Sequence, residues 1–135
     1  MRQINKIVIH CSDSDNKKHD DIEVIRDWHV NDNGWNDVGY HYFIKSNGDI
    51  QLGRKEETPG AHVRGHNSDS IGVCLHGKNK FTENQFKALY RLTYNLMYEH
   101  RLSLTDIYGH YEFDSRKTCP NFNPREILTD HQKLS

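Results

Sequence analysis

The sequence predicts a single α/β domain in which helices pack on a mixed central β-sheet. Short apolar runs rich in Ile and Val, at residues 4–11 and 71–75, have the length and composition of buried strands. Residues 82–100 instead repeat their apolar side chains at helical spacing. The chain of 135 residues shows no internal repeat and no linker, and this length suits one domain with a real core. We therefore expect residues 1–135 to form one unit.

The first strand is predicted over residues 4–11, where most side chains are apolar and several are β-branched. It places His10 at its C-terminal end, a position where α/β folds commonly carry functional side chains. A polar, turn-rich segment follows. A helix is then expected to begin at a cap formed by Asp20 or Asp21 and to end near Val30.

A β-hairpin is predicted next, with strands over residues 38–45 and 50–53. The turn between them contains Asn47-Gly48, and Asn-Gly between two such runs is a strong hairpin signal. Residues 54–70 are rich in Gly, His, Asn and Ser and are expected to form a long loop. Because binding residues are often found on loops held by a rigid scaffold, we expect this loop to form part of a binding surface.

The central strand and the longest helix are predicted in the second half of the chain. Residues 71–75 are apolar and are expected in the middle of the sheet. A capping-box pattern from Thr82 to Gln85 opens a helix that extends to about His100. The side chains expected on its buried face are Phe86, Leu89, Tyr90, Thr93, Leu96 and Met97.

The C-terminal part is expected to contain a short strand and a brief helix. Residues 107–108 form the strand, which delivers His110 to the end of the sheet. Pro124 suits the first position of a helix, and the polar tail from Thr129 onwards is expected to fray. The domain should therefore contain two main helices.

The overall charge and the cysteine content narrow the functional classes. A net charge of −1 and a sequence pI near 6.8 do not indicate a general nucleic-acid binder or a protein of anionic membrane surfaces. The three cysteines are an odd number beside apolar runs, which fits reduced thiols better than a disulfide framework. Residues 1–6 contain no apolar signal segment, so we expect cytoplasmic synthesis without a signal peptide.

Residues 109–120 concentrate chemically active side chains, among them His110, Lys117 and Cys119. Imidazole and thiolate are good zinc ligands, and a catalytic zinc site typically has three protein ligands and a water. His110 and Cys119 supply two of the three, and His10 is the best candidate for the third. The pattern predicts Zn²⁺ bound by His10, His110 and Cys119, with Lys117 beside the open position.

The same residues allow other interpretations. His10 alone would more often be a hydrogen-bonded structural histidine, and Cys119 alone would more often be a small inert residue. A purely structural zinc site is disfavoured, because no fourth Cys or His stands at ligand spacing. Cys119 or Cys11 together with a histidine would instead suit a nucleophilic cysteine hydrolase. Spacing by itself names no substrate.

Several motifs in order resemble those of the type 2 N-acetylmuramoyl-L-alanine amidases, a family that includes peptidoglycan recognition proteins and small bacteriophage endolysins. The resemblance covers roughly residues 4–128. The motifs are His10-Cys11-Ser12, Ile25-Arg26-Asp27-Trp28-His29, Gly34-Trp35-Asn36-Asp37-Val38-Gly39-Tyr40-His41-Tyr42, Gly60-Ala61-His62-Val63-Arg64-Gly65-His66-Asn67, Ser70-Ile71-Gly72-Val73 and Lys117-Thr118-Cys119-Pro120. Two stretches depart from the family pattern: Asp13-Ser14-Asp15, and residues 77–81, which look short.

The resemblance implies roles for individual residues. His10, His110 and Cys119 match the zinc ligands of the family, and Tyr40 and Lys117 match the catalytic positions of the phage type. A second set, His62 and Asn67, falls in a loop motif that lines the substrate groove of relatives, which implies a substrate-binding role.

The resemblance also implies an activity and a partner. The expected reaction is hydrolysis of the amide between N-acetylmuramic acid and the L-alanine of the stem peptide, with peptidoglycan as substrate and neither nucleic acid nor membrane as partner. We expect a monomer that acts on the cell wall after release. Some phage-type relatives also bind a polymerase, and no residue of this sequence tests that. The alternative is a non-catalytic peptidoglycan-binding module of the same fold.

Overall fold

The computed structural model of the chain describes residues 2–134, with side chains described as far as Gln132. Met1 and Ser135, the two ends of the predicted unit, lie outside the described residues. The strands are β1 (Lys6–Cys11), β2 (Tyr42–Ile44), β3 (Ile50–Leu52), β4 (Ser70–Leu75) and β5 (Ile107–Gly109). The helices are α1 (Ile22–Asp27), α2 (Glu83–His100) and α3 (Pro124–Leu134), with short 3₁₀ turns between elements.

The five strands form one mixed sheet in the order β3-β2-β4-β1-β5. β4 lies in the middle, as predicted, and pairs in parallel with both β1 and β2. β5 runs parallel to β1 at one edge, and β3 pairs antiparallel with β2 at the other, which confirms the hairpin. All six residues of β4 are buried, so its continuous apolar run reflects coverage on both faces.

Strand β2 is shorter than the predicted strand over residues 38–45. Val38 is fully buried, and this explains its apolar signal, but its main chain does not join the ladder. The main chain at Gly39 instead packs directly against the loop 59–67. A side chain at this position has no room, because a Cβ would lie 2.2 Å from the carbonyl oxygen of Ala61. The Ala61 N–H donates to the Gly39 carbonyl over 3.0 Å. Burial and loop packing therefore account for Val38 and Gly39, whereas His41 still donates its main-chain N–H to the Gly72 carbonyl and accepts from the Gly53 N–H.

Helix α1 begins at Asp21, whose side chain accepts a hydrogen bond from the Glu23 N–H, as the cap prediction allowed. After Asp27 the helix widens into a π-helical turn over Trp28–Asp32, which ends two residues beyond the predicted Val30. Such π turns are uncommon and are frequently found at functional sites. Here the turn carries His29 toward the groove described below.

Helix α2 confirms the predicted capping box, since Thr82 and Gln85 exchange side-chain and backbone hydrogen bonds. Its fully buried face differs in part from the prediction. Phe86 and Tyr90 are only partly buried, while Gln85 and Ala88 are buried. Gln85 tolerates burial because its side-chain amide donates to the carbonyls of Ile44 and His76.

The C-terminal helix was underestimated from the sequence. α3 runs for 11 residues to Leu134, so the tail predicted to fray from Thr129 is helical and a third main helix is present. Leu128 is fully buried in the larger of two apolar clusters, which fills the space between the sheet, α2 and α3. The polar character that suggested fraying belongs to the other faces of an amphipathic helix.

The two stretches that depart from the family pattern contact each other. Ser14 forms an isolated bridge with Gly77. The Asp15 carboxylate accepts hydrogen bonds from the backbone N–H groups of Lys78, Asn79 and Lys80. The acidic residue thus closes the shortened turn before α2. Among residues 2–134, no helix combines the length and apolar character needed to cross a bilayer.

Candidate active site

His10 and His110 leave the sheet side by side, because their strands are neighbours. Ile9 pairs with Gly109 in the parallel register of β1 and β5, so the residue after each reaches the same edge of the sheet. The two imidazole centroids are 4.6 Å apart. His10 is 1% exposed, whereas His110 is half-buried in a 3₁₀ turn that follows β5.

The loop after β5 folds back and brings Cys119 to the two histidines. The Tyr111 N–H donates to the Cys119 carbonyl over 3.0 Å. The Cys11 N–H donates to Cys119 Sγ over 2.9 Å. Glu112 closes the base of the loop, because its carboxylate accepts from the Gly109 N–H at 2.8 Å. One main-chain hydrogen bond and two from backbone N–H groups to side chains therefore hold the loop folded back between His110 and Cys119.

The three donor groups predicted to bind zinc come together. One ligand atom each from His10, His110 and Cys119 lies within 4.8 Å of the other two. Zinc bonds of about 2.0–2.3 Å to nitrogen and sulfur require donors in this proximity. The backbone N–H on the thiol also fits a ligand that binds as thiolate. The donor types and their proximity would suit a metal ion held by these three protein ligands.

The electrostatics of the site suit neutral imidazole ligands. Burial, followed by the neighbouring His62 and His110, lowers the pKa of His10 well below its ordinary value. Burial and then Lys117 lower the pKa of His110. Contact with the Cys11 thiol and burial raise the pKa of Cys119, so metal binding must displace a proton from that thiol. Both histidines are thus held in the state that coordinates metals.

Tyr40 and Lys117 both border the donor cluster. The Tyr40 ring centroid is 5.0 Å from that of His10, and Lys117 is exposed at the mouth. Burial, followed by the effect of Cys74, raises the pKa of Tyr40 well above the usual value. A phenol in that state can donate a hydrogen bond but is a poor base. The sequence analysis did not predict the contact between Tyr40 and the buried Cys74 thiol.

An open groove passes over the site. A cavity of about 400 Å³ contains the donor cluster, Tyr40, Lys117 and Arg116. A second cavity of about 430 Å³ shares His10, Tyr40 and His110 with the first. Its other walls come mainly from the α1–β2 connection and the loop 59–67. The side chains that complete it are His29, Trp35, Ala61, His62, Val63, Arg64, Asn67 and Asp114.

His62 and Asn67, predicted to bind substrate, border the groove but are engaged inside the protein. Both ring nitrogens of His62 are within hydrogen-bond distance of buried partners, His10 and Ser70. The Asn67 side-chain oxygen accepts from the N–H groups of His62 and Val63, at 2.9 Å each. Their substrate-binding role stays a prediction. Sequence reasoning gave no role to Trp35, Arg64 or His29, although their motifs were visible.

Fold and site together define a class of protein: a single α/β domain with two imidazoles and a thiol at the floor of an open groove.

A sequence profile of the N-acetylmuramoyl-L-alanine amidase family matches residues 1–122. The endolysin of Escherichia phage T7 is 37% identical over 125 residues, which are 87% of this chain and 80% of that protein. The endolysin of Klebsiella phage KP32 is 33% identical over 130 residues, or 90% and 83% of the two chains.

Solved structures show the same fold. The N-acetylmuramoyl-L-alanine amidase LysC from Clostridium intestinale URNW superposes with a TM-score of 0.84 at 28% identity, over 99% of this chain and 88% of that one. Drosophila PGRP-LB superposes with a TM-score of 0.76 at 23% identity, over 96% and 80%, and shows the fold alone. The chain belongs to the N-acetylmuramoyl-L-alanine amidase family. It is therefore an amidase whose substrate class is peptidoglycan.

Proposed function

We propose that the protein is a zinc-dependent endolysin-like amidase, which hydrolyses the bond between the lactyl carbonyl of N-acetylmuramic acid and the L-alanine nitrogen of the stem peptide. The observation that supports this most directly is the donor set of His10, His110 and Cys119 on the floor of an open groove. A bound zinc ion would supply a Lewis acid and an activated water there. Its ligands would be these three residues.

The remaining chemistry is assigned to two side chains beside the donor cluster. Lys117 is exposed at the mouth of the same cavity and brings a positive charge near the position where an amide carbonyl would develop negative charge. Tyr40, a proton donor by its raised pKa, can donate a hydrogen bond to the same developing oxyanion. Water has access, because the groove is open on this side.

The two adjoining cavities together offer a binding surface that extends beyond the donor cluster. The second cavity adds the Trp35 ring and the Arg64 guanidinium to the walls beyond the donor cluster. An aromatic face and a cation suit a sugar ring and a peptide carboxylate, respectively. A muropeptide bound along both cavities would place its amide over His10 and His110, which the two cavities share.

A nucleophilic cysteine hydrolase is the competing mechanism, since Cys119 lies close to two imidazoles. Such an enzyme needs one thiol paired with one imidazole. Here ligand atoms of Cys119, His10 and His110 all lie within 4.8 Å of one another. This three-way convergence favours Cys119 as a metal ligand over Cys119 as a nucleophile.

Digestion of purified peptidoglycan with and without a chelator tests the proposal. We expect stem peptides with new L-alanine amino termini, detected by mass spectrometry, and glycan strands without new reducing ends. Chelator should abolish release, and added zinc should restore it. New reducing ends that persist with chelator would indicate a glycosidase. Unchanged amide cleavage in chelator would favour the cysteine mechanism, and binding without any new ends would indicate a binding module.

A further inference from the structure

A buried hydrogen-bonded chain connects the proposed zinc site to the centre of the sheet. His10 Nε2 lies 2.8 Å from His62 Nδ1, and His62 Nε2 lies 3.0 Å from the Ser70 hydroxyl. Both contacts are buried, and Ser70 is fully buried in β4. His62 therefore contacts a proposed metal ligand directly, through one nitrogen of each ring.

Metal binding by His10 would fix which atom donates and which accepts in each hydrogen bond from His10 through His62 to Ser70. His10 has its Nε2 engaged by His62, which leaves Nδ1 as the nitrogen available to the ion. A metal-bound Nδ1 carries no proton, so Nε2 must carry it and donate to His62 Nδ1. His62 then carries its own proton on Nε2 and donates to the Ser70 oxygen. Every member of the chain has a compatible partner in this one arrangement.

Two glycines hold the His62 ring in place. A Cβ at Gly72 would lie 2.6 Å from His62 Cγ, and a Cβ at Gly60 would lie 2.6 Å from His62 Cδ2. Side-chain Cβ atoms essentially never approach other atoms so closely, so only glycine leaves room for the imidazole at these positions. Asn67 fixes the main chain at the same point through the N–H groups of His62 and Val63.

We propose that His62 is a positioning residue, which selects the tautomer and orientation of His10 so that Nδ1 faces the metal. This inference rests on the proposed zinc site. It gives His62 a buried role in place of a direct hydrogen bond to substrate, because both ring nitrogens are already used. Partners that hold a metal-bound histidine typically change metal affinity by about 10–100-fold when they are removed.

A matched pair of substitutions at position 62 separates hydrogen bonding from packing. His62→Asn keeps an acceptor near the position of Nδ1, whereas His62→Leu has similar size and no acceptor. We expect His62→Leu to bind zinc about 10–100-fold more weakly than wild type, in competition with a chromogenic chelator, and His62→Asn to recover most of the loss. Equal weakening in both variants would contradict the role of the hydrogen bond.

Gly72→Ala tests the same role without changing any donor or acceptor. The added methyl group must displace the His62 ring. We therefore expect weaker zinc binding, in the direction of His62→Leu. His76→Leu is the control, because it removes another buried histidine that has no described contact with His10. It should leave zinc affinity within about 2-fold while it changes stability.

A direct measurement on the wild type keeps the inference testable if a variant fails to fold. Long-range ¹H–¹⁵N correlation spectra of the zinc-loaded protein should show the His10 proton on Nε2. A proton on Nδ1, or unchanged affinity in both His62→Leu and Gly72→Ala, would overturn the positioning role. Failure of the wild type to bind zinc would instead contradict the proposed zinc site itself.

Discussion

Lys117 is the exposed cation closest in the chain to the thiol of the site, and its charge borders the donor cluster. We expect Lys117→Ala to retain zinc and fold but to lose roughly 10²–10³-fold in turnover, as when one oxyanion donor is deleted. Turnover on purified peptidoglycan and metal content by emission spectroscopy measure the two effects. Lys87→Ala, an exposed lysine on α2, is the control for the loss of one positive charge. Release of zinc by Lys117→Ala would show a structural role instead.

The adjacent thiols Cys119 and Cys11 allow a controlled test of the ligand set. Cys119→Ser should lose most of the zinc and the activity, because a neutral hydroxyl is a poor replacement for thiolate. Cys11→Ser should keep the metal, since it preserves the backbone N–H that contacts the Cys119 sulfur and replaces the neighbouring Cys11 thiol by a hydroxyl of similar size. Zinc content and activity of both variants check this. Full metal content in Cys119→Ser would remove that residue from the site.

The proximity of His10, His110 and Cys119 could be predicted from the sequence, but the contact between His62 and His10 could not. His10 lies near the C-terminal end of one apolar strand and His110 directly follows another, and parallel strand ends meet at one edge of a sheet. The position of His62 under His10 depends instead on the packing of Gly72 and Gly60. Glycines in a sequence do not reveal which side chain occupies the space they leave.

At the scale of single elements, α3 shows how a polar helix can hold the domain together. Leu128 is fully buried in the larger apolar cluster. We expect Leu128→Ala to lower the free energy of unfolding by about 2–5 kcal/mol, because it deletes buried methyl groups and leaves a cavity. Glu126→Ala, exposed on the same helix, should change it by less than about 0.5 kcal/mol. Urea unfolding curves measure both, and similar values would mean that α3 is not docked.

The elements best predicted from sequence were those with a strong local pattern. β1, β4 and α2 have continuous apolar runs or a capping box, and their bounds shifted by at most two residues. The predictions for β2 and α3 were wrong for different reasons. The predicted β2 was too long, because Val38 is buried without strand pairing. The predicted frayed tail is part of α3, an amphipathic helix with one narrow buried face.

At the scale of the whole molecule, burial of His41 should make the free energy of unfolding depend on pH. His41 is buried, its Nδ1 accepts the Gly72 N–H at 3.0 Å, and its Nε2 lies 2.8 Å from the Thr58 carbonyl. Burial, opposed by the Thr58 carbonyl and reinforced by Arg2, lowers its pKa to about 4. Between the ordinary pKa of about 6.5 and about 4, the unfolded chain binds a proton that the folded protein excludes. The free energy of unfolding should therefore fall as pH decreases through this interval.

The contribution of His41 can be isolated by His41→Asn, whose side-chain oxygen can still accept the Gly72 N–H. Urea unfolding of both proteins from pH 7 to pH 4 should give a steeper loss for wild type, by up to about 1.4 kcal/mol per pH unit. The contribution of bound metal is common to both and largely cancels in the difference. Identical pH profiles would show that His41 does not exclude a proton in the folded protein.

Family, fold and substrate class agree with the sequence analysis, whereas several properties of the whole molecule stay predictions. These are the monomeric state, the cytoplasmic synthesis followed by release to the wall, and the absence of nucleic-acid and membrane partners. Binding of a polymerase partner stays a prediction as well.

The two outer strands of the sheet have a consequence for behaviour at high concentration. β3 and β5 are only three residues long, and the Arg125 guanidinium donates to the Ile107 carbonyl on β5. Edge strands this short offer few unpaired peptide groups with which a second copy could extend the sheet. Leu52 is 71% exposed on β3, but this three-residue strand is shorter than the six- or seven-residue segments typical of fibril-forming zippers. The protein should accumulate to high concentration without aggregating, which static light scattering across a concentration series would reveal.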